Sequence, residues 1–134
     1  MTYLLDTNVC IMFLNQPNSI IAQRLQQQHV SDIAVCSVVK SELFYGAMKS
    51  QWPERTLQKQ MAFLKIFKSW PFDDQAAIKY GEIRADLARK GTPIGPHDVQ
   101  IAAIALTNNC ILVTHNTAEF SRVAGLQLVD WALP

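Results

Sequence analysis

The feature that most restricts the fold of this chain is a set of short apolar runs that alternate with stretches of helical periodicity. Residues 3–5 and 33–36 form two such runs, residues 111–114 a clear third, and residues 126–129 a weaker fourth. Short continuous apolar runs are typical of strands that are buried on both faces of a parallel sheet. Because helical stretches separate them, the pattern predicts an α/β domain with a central, mainly parallel sheet of four to five strands and helices on both faces.

The helical stretches can be placed from their capping residues and their apolar spacing. Thr7 and Asn8 are the candidate N-caps of a short first helix, and Ser37 is the candidate cap of the helix after the second strand. Residues 70–72 are predicted to be a short break or a strand. A later helix is predicted to end at Gly91 and to bury one apolar face, formed by Ala77, Tyr80, Ile83 and Leu87.

The composition limits the size, the partners and the compartment. With 134 residues, 49% of them hydrophobic and 17% charged, the chain is expected to form a single domain over 1–134 with a real core. Its formal net charge of +1 argues against a broad basic surface that coats nucleic acid, although a local basic rim is compatible with it. The three widely spaced cysteines predict buried reduced thiols. Neither a signal peptide nor a membrane span is recognisable, so a cytoplasmic location is expected.

A few acidic residues stand where the predicted sheet would bring them together. Asp6 directly follows the first strand, and Asp98 opens a strongly apolar helix. Glu42 lies in a helix flanked by aliphatic and aromatic residues, while Asn116 and Glu119 follow the third apolar run. Ligands of open parallel sheets bind beside the carboxyl ends of the strands, so most of these side chains are expected to meet at one edge.

Each acid also has a simpler interpretation. Asp98 or Asp6 could cap the helix that follows it, and Glu42 could be an ordinary surface residue. Carboxylates about 5 Å apart, however, repel each other by about 3 kcal/mol per pair at an effective dielectric constant near ~20. A cluster of them needs raised pKa values or a bound cation, and Mg²⁺ and Mn²⁺ prefer such oxygen ligands. Taken together, the acids favour metal-assisted phosphodiester chemistry.

With these residues in place, the chain resembles the PIN-domain family and, more narrowly, the VapC-type toxins of bacterial toxin–antitoxin pairs. The resemblance covers the whole chain and is carried by four segments: Leu-Asp-Thr-Asn at 5–8, Ser-Glu-Leu-Phe-Tyr-Gly at 41–46, Ile-Gly-Pro-His-Asp-Val-Gln-Ile-Ala-Ala at 94–103 and Leu-Val-Thr-His-Asn-Thr-Ala-Glu-Phe at 112–120. It implies a PIN-like α/β/α sandwich and an endoribonuclease that depends on Mg²⁺ or Mn²⁺ and acts on structured RNA, tRNA in particular. It also implies a homodimer or a hetero-oligomer with a VapB-type antitoxin, without a membrane partner.

The same resemblance assigns roles to individual residues. By position in the family pattern, Asp6 and Asp98 are implied most directly as metal ligands, and Glu42 completes the catalytic site as a further metal ligand. Many PIN domains place an Asp where this chain has Asn116, so the fourth position is divided between Asn116 and Glu119. Glu119 is the expected fourth catalytic acid and metal ligand, because it can supply the charge that Asn116 lacks.

Two other functions stay open on the sequence. An aspartyl-phosphate phosphatase also begins with a strand that ends in Asp, but it normally has a second Asp two residues later, where this chain has Asn8. A catalytically silent PIN fold that only binds RNA or protein would account for Asn116. The segment 52–70 carries enough Phe, Leu and Met to contribute to a partner interface as well as to the core.

Overall fold

The computed structural model describes residues 1–134 and contains one sheet of five parallel strands. The strands are Thr2–Leu5 (β1), Ile33–Cys36 (β2), Lys68–Trp70 (β3), Cys110–Val113 (β4) and Leu128–Val129 (β5). They lie in the order β3-β2-β1-β4-β5. The predicted parallel sheet of four to five strands is therefore confirmed, and the segment predicted as a break or a strand contains the end of an edge strand.

Seven α-helices flank this sheet. They are Thr7–Asn15 (α1), Ile20–Gln26 (α2), Ser37–Met48 (α3), Pro53–Leu64 (α4), Asp74–Arg89 (α5), Pro96–Thr107 (α6) and Thr117–Phe120 (α7), and a 3₁₀ turn covers Val30–Asp32. Crossovers between parallel strands are right-handed, so α1–α4 and α5–α7 fall on opposite faces of the sheet. None of the helices combines the length and the apolar character that crossing a bilayer would need.

The middle strands are buried because helices cover both of their faces. Every residue of β2 is buried, and Leu4 and Leu5 of β1 are fully enclosed. Leu5 pairs with Val113 of β4, which brings the ends of these two strands level with each other. The core cluster contains 30 buried residues and includes all three cysteines as free thiols, as predicted.

The start of α1 corrects one prediction from the sequence. The helix begins at Thr7, and its N-cap is Asp6, whose Oδ1 accepts the N–H of Val9 at 2.9 Å. The expectation that Thr7 or Asn8 is the cap is therefore wrong. Asp6 takes this position because it is the last residue with extended backbone geometry before the helix.

Two further details differ because they depend on tertiary contacts. Ser37 is the first residue of α3 rather than its cap, and its Oγ accepts the N–H of Phe72 at 3.1 Å. In α5 the buried face includes Ala76, whereas the predicted Ala77 is exposed. The predicted end of α5 is confirmed, because Gly91 follows it with a φ of +69° that favours glycine.

The strand order places a ligand crevice beside β1. From β1 the chain first adds β2 and β3 on one side and then returns to add β4 and β5 on the other. In open parallel sheets, ligands bind outside the carboxyl ends of the strands at the point where this reversal occurs. Asp6 follows β1 and Thr114 follows β4 at this point, so the fold gathers side chains from both loops at one crevice.

Candidate active site

Asp6 lies at the centre of this crevice, directly after β1. Its N–H donates to the carbonyl of Val113 at 3.1 Å, and its side chain is only 5% exposed. Burial raises the pKa of Asp6 to about 6, and the nearby charges of Asp98 and Glu42 add to the rise. The Thr114 hydroxyl and the helix amide that Asp6 caps offset part of it. Asp6 is thus a buried carboxylate whose charge is poorly compensated.

Glu42 reaches the same crevice from α3. Its Oε1 accepts the hydroxyl of Thr7 at 2.6 Å, and its Oε2 lies 3.5 Å from Nδ1 of His97. The Glu42 side chain is 30% exposed, and it lies close enough to Asp6 and Asp98 to raise the pKa of both. These contacts show that Glu42 is not an ordinary surface residue, a distinction that the sequence alone could not make.

Asp98 is held in the first turn of α6 and is half-buried. The N-cap of this helix is Gly95, and no side chain caps it, so Asp98 is a first-turn acid and not the cap. Burial raises the pKa of Asp98, the charges of Glu119 and Glu42 raise it further, and His97 lowers it. Asp98 therefore lies within the electrostatic reach of two other carboxylates.

Asn116 and Glu119 form a contacting pair after β4. The Nδ2 of Asn116 donates to Oε2 of Glu119 at 3.2 Å, while the backbone N–H of Asn116 donates to Oγ1 of Thr114 at 3.0 Å. Asn116 lines the crevice itself, and Glu119 acts on Asp98 through its charge. The structure thus shows both candidates for the fourth position in contact with each other at the site.

A cavity of about 110 Å³ lies between these residues. Its wall contains the carboxylates of Asp6, Glu42 and Asp98, together with hydroxyl, amide and apolar groups from Thr7, Asn8, Ile101, Asn116 and Phe120. The side chains come from the ends of two strands and the faces of two long helices. The prediction that these acids meet at one edge of the sheet is confirmed.

The groups on this wall fit a divalent cation. All of its polar side chains offer oxygen ligands, which hard cations prefer. The pKa values of Asp6 and Asp98 are raised mainly by burial and further by neighbouring carboxylates, and a bound cation would offset both effects. No three His, Cys, Asp or Glu side chains are already arranged to hold an ion. One or two carboxylates would therefore bind a small cation directly, and water would complete its coordination.

One pair of residues at this edge was not predicted. Nδ1 of His115 lies 2.9 Å from Oδ2 of Asp130, whose side chain is 10% exposed, and Oδ1 of Asp130 accepts the N–H of Ala132 at 2.9 Å. Asp130 follows β5, so the strand-end rule that singled out Asp6 could have found it. The pair fixes the segment after β4 to the segment after β5.

Comparison with known proteins agrees with this geometry. The PIN domain family matches residues 3–126. The tRNA(fMet)-specific endonuclease VapC of Salmonella typhimurium is 41% identical over 129 residues, which are 96% of this chain and 97% of that protein. Ribonuclease VapC2 of Rickettsia felis is 37% identical over 132 residues, 98% of each chain.

A solved structure supports the same relationship. One chain of the DNA-bound VapBC crystal structure from Salmonella typhimurium has a TM-score of 0.92 and 40% identity, with 98% of both chains covered. PIN-domain ribonucleases of this kind depend on a divalent metal. The aspartyl-phosphate phosphatase alternative finds no support among these matches. The chain belongs to the PIN-domain family and, within it, to the VapC ribonucleases.

Proposed function

We propose that this chain is the toxin of a toxin–antitoxin pair and acts as a metal-dependent endoribonuclease on tRNA. The observation that carries the proposal is the convergence of Asp6, Glu42 and Asp98, from three separate elements, on one cavity at the reversal point of the sheet. Helix capping, the structural role open to these acids, accounts for only one of the three carboxylates. Asp6 alone caps a helix, and neither Glu42 nor Asp98 does.

The relatives supply the substrate and the partner of the proposal. Since a VapC with 41% identity over nearly its whole length is named for cleavage of tRNA(fMet), tRNA is the proposed substrate class. Since a VapBC complex contains the structural counterpart of this chain, the proposed partner is a VapB-type antitoxin in a dimeric or larger assembly. Three buried free thiols accord with a reducing compartment, and the proposed location is the cytoplasm.

The proposed roles follow from the burial and the contacts of each acid. Asp6 and Asp98 would hold Mg²⁺ or Mn²⁺, because their pKa values are the ones raised by burial and neighbouring charge. Glu42 would orient the attacking water and accept its proton, since Thr7 donates to one of its oxygens and its side chain is 30% exposed, within reach of water. Glu119, held by Asn116, would add the fourth negative charge.

These roles account for the hydrolysis of a phosphodiester bond. When bound, the cation would neutralise charge on the phosphate and favour the ionised form of a nearby water. Glu42 would take the proton of the attacking water as its oxygen bonds to phosphorus. The bond from phosphorus to the leaving ribose oxygen breaks, and that oxygen takes up a proton from solvent.

Cleavage of a defined RNA tests this function. We expect the purified chain to cut an initiator tRNA transcript with Mg²⁺ or Mn²⁺ and to lose this activity in excess EDTA. Asp98→Asn should abolish cleavage, whereas Asp74→Asn, a first-turn acid on the exposed start of α5, should not. Cleavage that persists in EDTA, or equal activity of Asp98→Asn and Asp74→Asn, would refute the assignment.

Metal titration separates this function from a silent PIN fold. Calorimetry should detect Mn²⁺ or Mg²⁺ binding to the wild-type chain that weakens in Asp6→Asn. Because Asn116 donates to Glu119, the fourth charge is held at the site, which argues against a fold that has lost its catalysis.

Residues 1–134 share one core cluster, and we treat them as one domain.

A further inference from the structure

The segment from Thr114 to Glu119, called here the β4–α7 segment, connects opposite sides of the acidic cavity. At its start, the hydroxyl of Thr114 forms a hydrogen bond with Asp6. In its middle, Asn116 lines the cavity, and at its end the charge of Glu119 acts on Asp98. The placement of this segment therefore decides where the fourth negative charge of the site lies.

Few polar contacts hold the β4–α7 segment in place. Its helix, α7, has only four residues, and the side chain of the N-cap, Asn116, makes no cap hydrogen bond. The backbone N–H of Asn116 donates to Thr114, which belongs to the same segment. The one hydrogen bond that joins residues 115–119 to a distant part of the chain is the bond between His115 and Asp130. This pair is therefore the main polar link between the segment and the rest of the fold.

The partner of His115 belongs to a firmly packed part of the fold. Asp130 directly follows β5, its side chain is 10% exposed, and its Oδ1 accepts the N–H of Ala132 at 2.9 Å. The next residue, Trp131, is buried, and the centroid of its ring lies 5.1 Å from that of Tyr3 on β1. The core and the turn at Ala132 thus place Asp130 without any help from His115.

The bond between the two side chains acts on the backbone of the β4–α7 segment. A carboxylate only accepts hydrogen bonds, so Nδ1 of His115 donates to Oδ2 of Asp130 at 2.9 Å. The His115 side chain is 60% exposed, so burial in the core does not explain its position. What the bond can fix is the backbone at His115 and, with it, the residues on either side, Thr114 and Asn116, whose side chains belong to the site.

We propose that His115 and Asp130 are positioning residues of the active site, which hold the β4–α7 segment so that Asn116 and Glu119 complete the metal site. The inference rests on the metal-dependent function proposed above and adds the C-terminal end of the sheet to the groups that determine metal affinity. In this role neither side chain touches the cation or the RNA. Removal of a hydrogen bond that orients metal ligands typically lowers metal affinity or activity by about 10- to 100-fold.

Calorimetry with Mn²⁺ at a fixed pH of about 7.5 tests this role without RNA. His115→Leu removes the donor and should weaken Mn²⁺ binding by about tenfold or more. His115→Asn keeps a donor, because its amide nitrogen takes nearly the place of Nδ1, and its Mn²⁺ affinity should stay within about threefold of the wild type. His29→Leu is the matched control, since His29 is exposed and its side chain makes no cap hydrogen bond, and it should leave the affinity unchanged.

Asp130→Ala shows whether the two residues act as a unit. If His115 acts only through Asp130, adding His115→Leu to Asp130→Ala should cost little further Mn²⁺ affinity. On the tRNA transcript, each single variant should lower kcat by about tenfold and leave KM within about twofold of the wild type, because neither residue contacts RNA in this role. A raised KM with unchanged Mn²⁺ affinity would overturn the inference, since it would make His115 an RNA contact.

Hydrogen exchange in the metal-free protein keeps the inference separate from the proposed function. The amides of residues 115–120 should exchange faster in His115→Leu than in the wild type or His29→Leu, because the β4–α7 segment loses its link to β5. If the wild type neither binds Mn²⁺ nor cleaves RNA, the proposed function fails, and this comparison still decides whether the pair holds the segment. Unchanged exchange, or equal Mn²⁺ affinities of His115→Leu and the wild type, overturns the inference. If Asp130→Ala does not fold, the His115 variants decide the outcome.

Discussion

Replacing Asp6 by Asn should stabilise the metal-free protein at neutral pH, even though it removes a proposed metal ligand. Burial and the charges of Asp98 and Glu42 raise the pKa of Asp6 from 3.8 to about 6. At about 1.4 kcal/mol per pKa unit, this rise corresponds to about 3 kcal/mol of folding stability lost when Asp6 ionises. Asn does not ionise, and it is as good an N-cap as Asp, so α1 keeps its cap.

The sign of the pH dependence follows from which state, folded or unfolded, still binds the Asp6 proton at higher pH. Between pH 3.8 and about 6 the unfolded chain has released the Asp6 proton while the folded chain still binds it. The contribution of Asp6 to stability therefore falls as the pH rises through this window, and it is constant above about pH 7. Wild type and Asp6→Asn should differ little at pH 4 and by about 3 kcal/mol at pH 7.5.

Urea unfolding in EDTA at several pH values from 4 to 8 measures this difference. Asp73→Asn is the matched control, because Asp73 caps α5 with the same 2.9 Å hydrogen bond but is exposed. Its substitution should not raise the free energy of unfolding at pH 7.5, because it removes no buried carboxylate. The reasoning is refuted if Asp6→Asn is no more stable than wild type at pH 7.5, or if the difference is equally large at pH 4.

Three other predictions address the same region. Mn²⁺ should raise the melting temperature of the wild type more at pH 7.5 than at pH 5.5, because the cation competes with the proton for the Asp6 carboxylate. It should barely change the melting temperature of Asp6→Asn. Equal shifts of the wild type at both pH values would contradict the assignment of Asp6. Thr7→Val removes the 2.6 Å hydrogen bond to Glu42 and should lower kcat about 10- to 100-fold while unfolding stability, read by circular dichroism, changes by less than about 2 kcal/mol. Gln60→Met should raise the free energy of unfolding by about 1–3 kcal/mol, since it removes an unpaired buried oxygen. If urea denaturation shows a lower free energy of unfolding instead, the amide is satisfied in the free protein.

The sheet and the meeting of the acids were predictable because each depends on short stretches of sequence. A run such as residues 33–36 is apolar throughout only if both faces of the strand are covered, and the structure buries all four residues. Asp6 could be placed because strand ends share one edge in a parallel sheet, whatever the strand order. The length of the sheet was less certain, since β3 consists of three residues and its first two are exposed.

The details that failed depend on contacts between distant segments. Ser37 does not cap α3 because its hydroxyl oxygen accepts the N–H of Phe72, a residue 35 positions away. Whether Ala76 or Ala77 faces the core depends on how α5 packs against α6, because both alanines fit a helical repeat. In the site, the sequence favoured Glu119 over Asn116 but could not show that the two side chains are hydrogen-bonded, since that contact is set by the backbone turn after β4.

The cap at α1 has a consequence for the choice of ion. Oδ1 of Asp6 already accepts a backbone amide, whereas no backbone amide donates to its second oxygen. A cation there would be coordinated by one oxygen of Asp6 at a time. That mode suits the tight octahedral shell of Mg²⁺, whereas Ca²⁺ has a larger shell and often takes both oxygens of a carboxylate. The hydrogen bond that starts the first helix would thus also favour a small cation over a large one at this carboxylate.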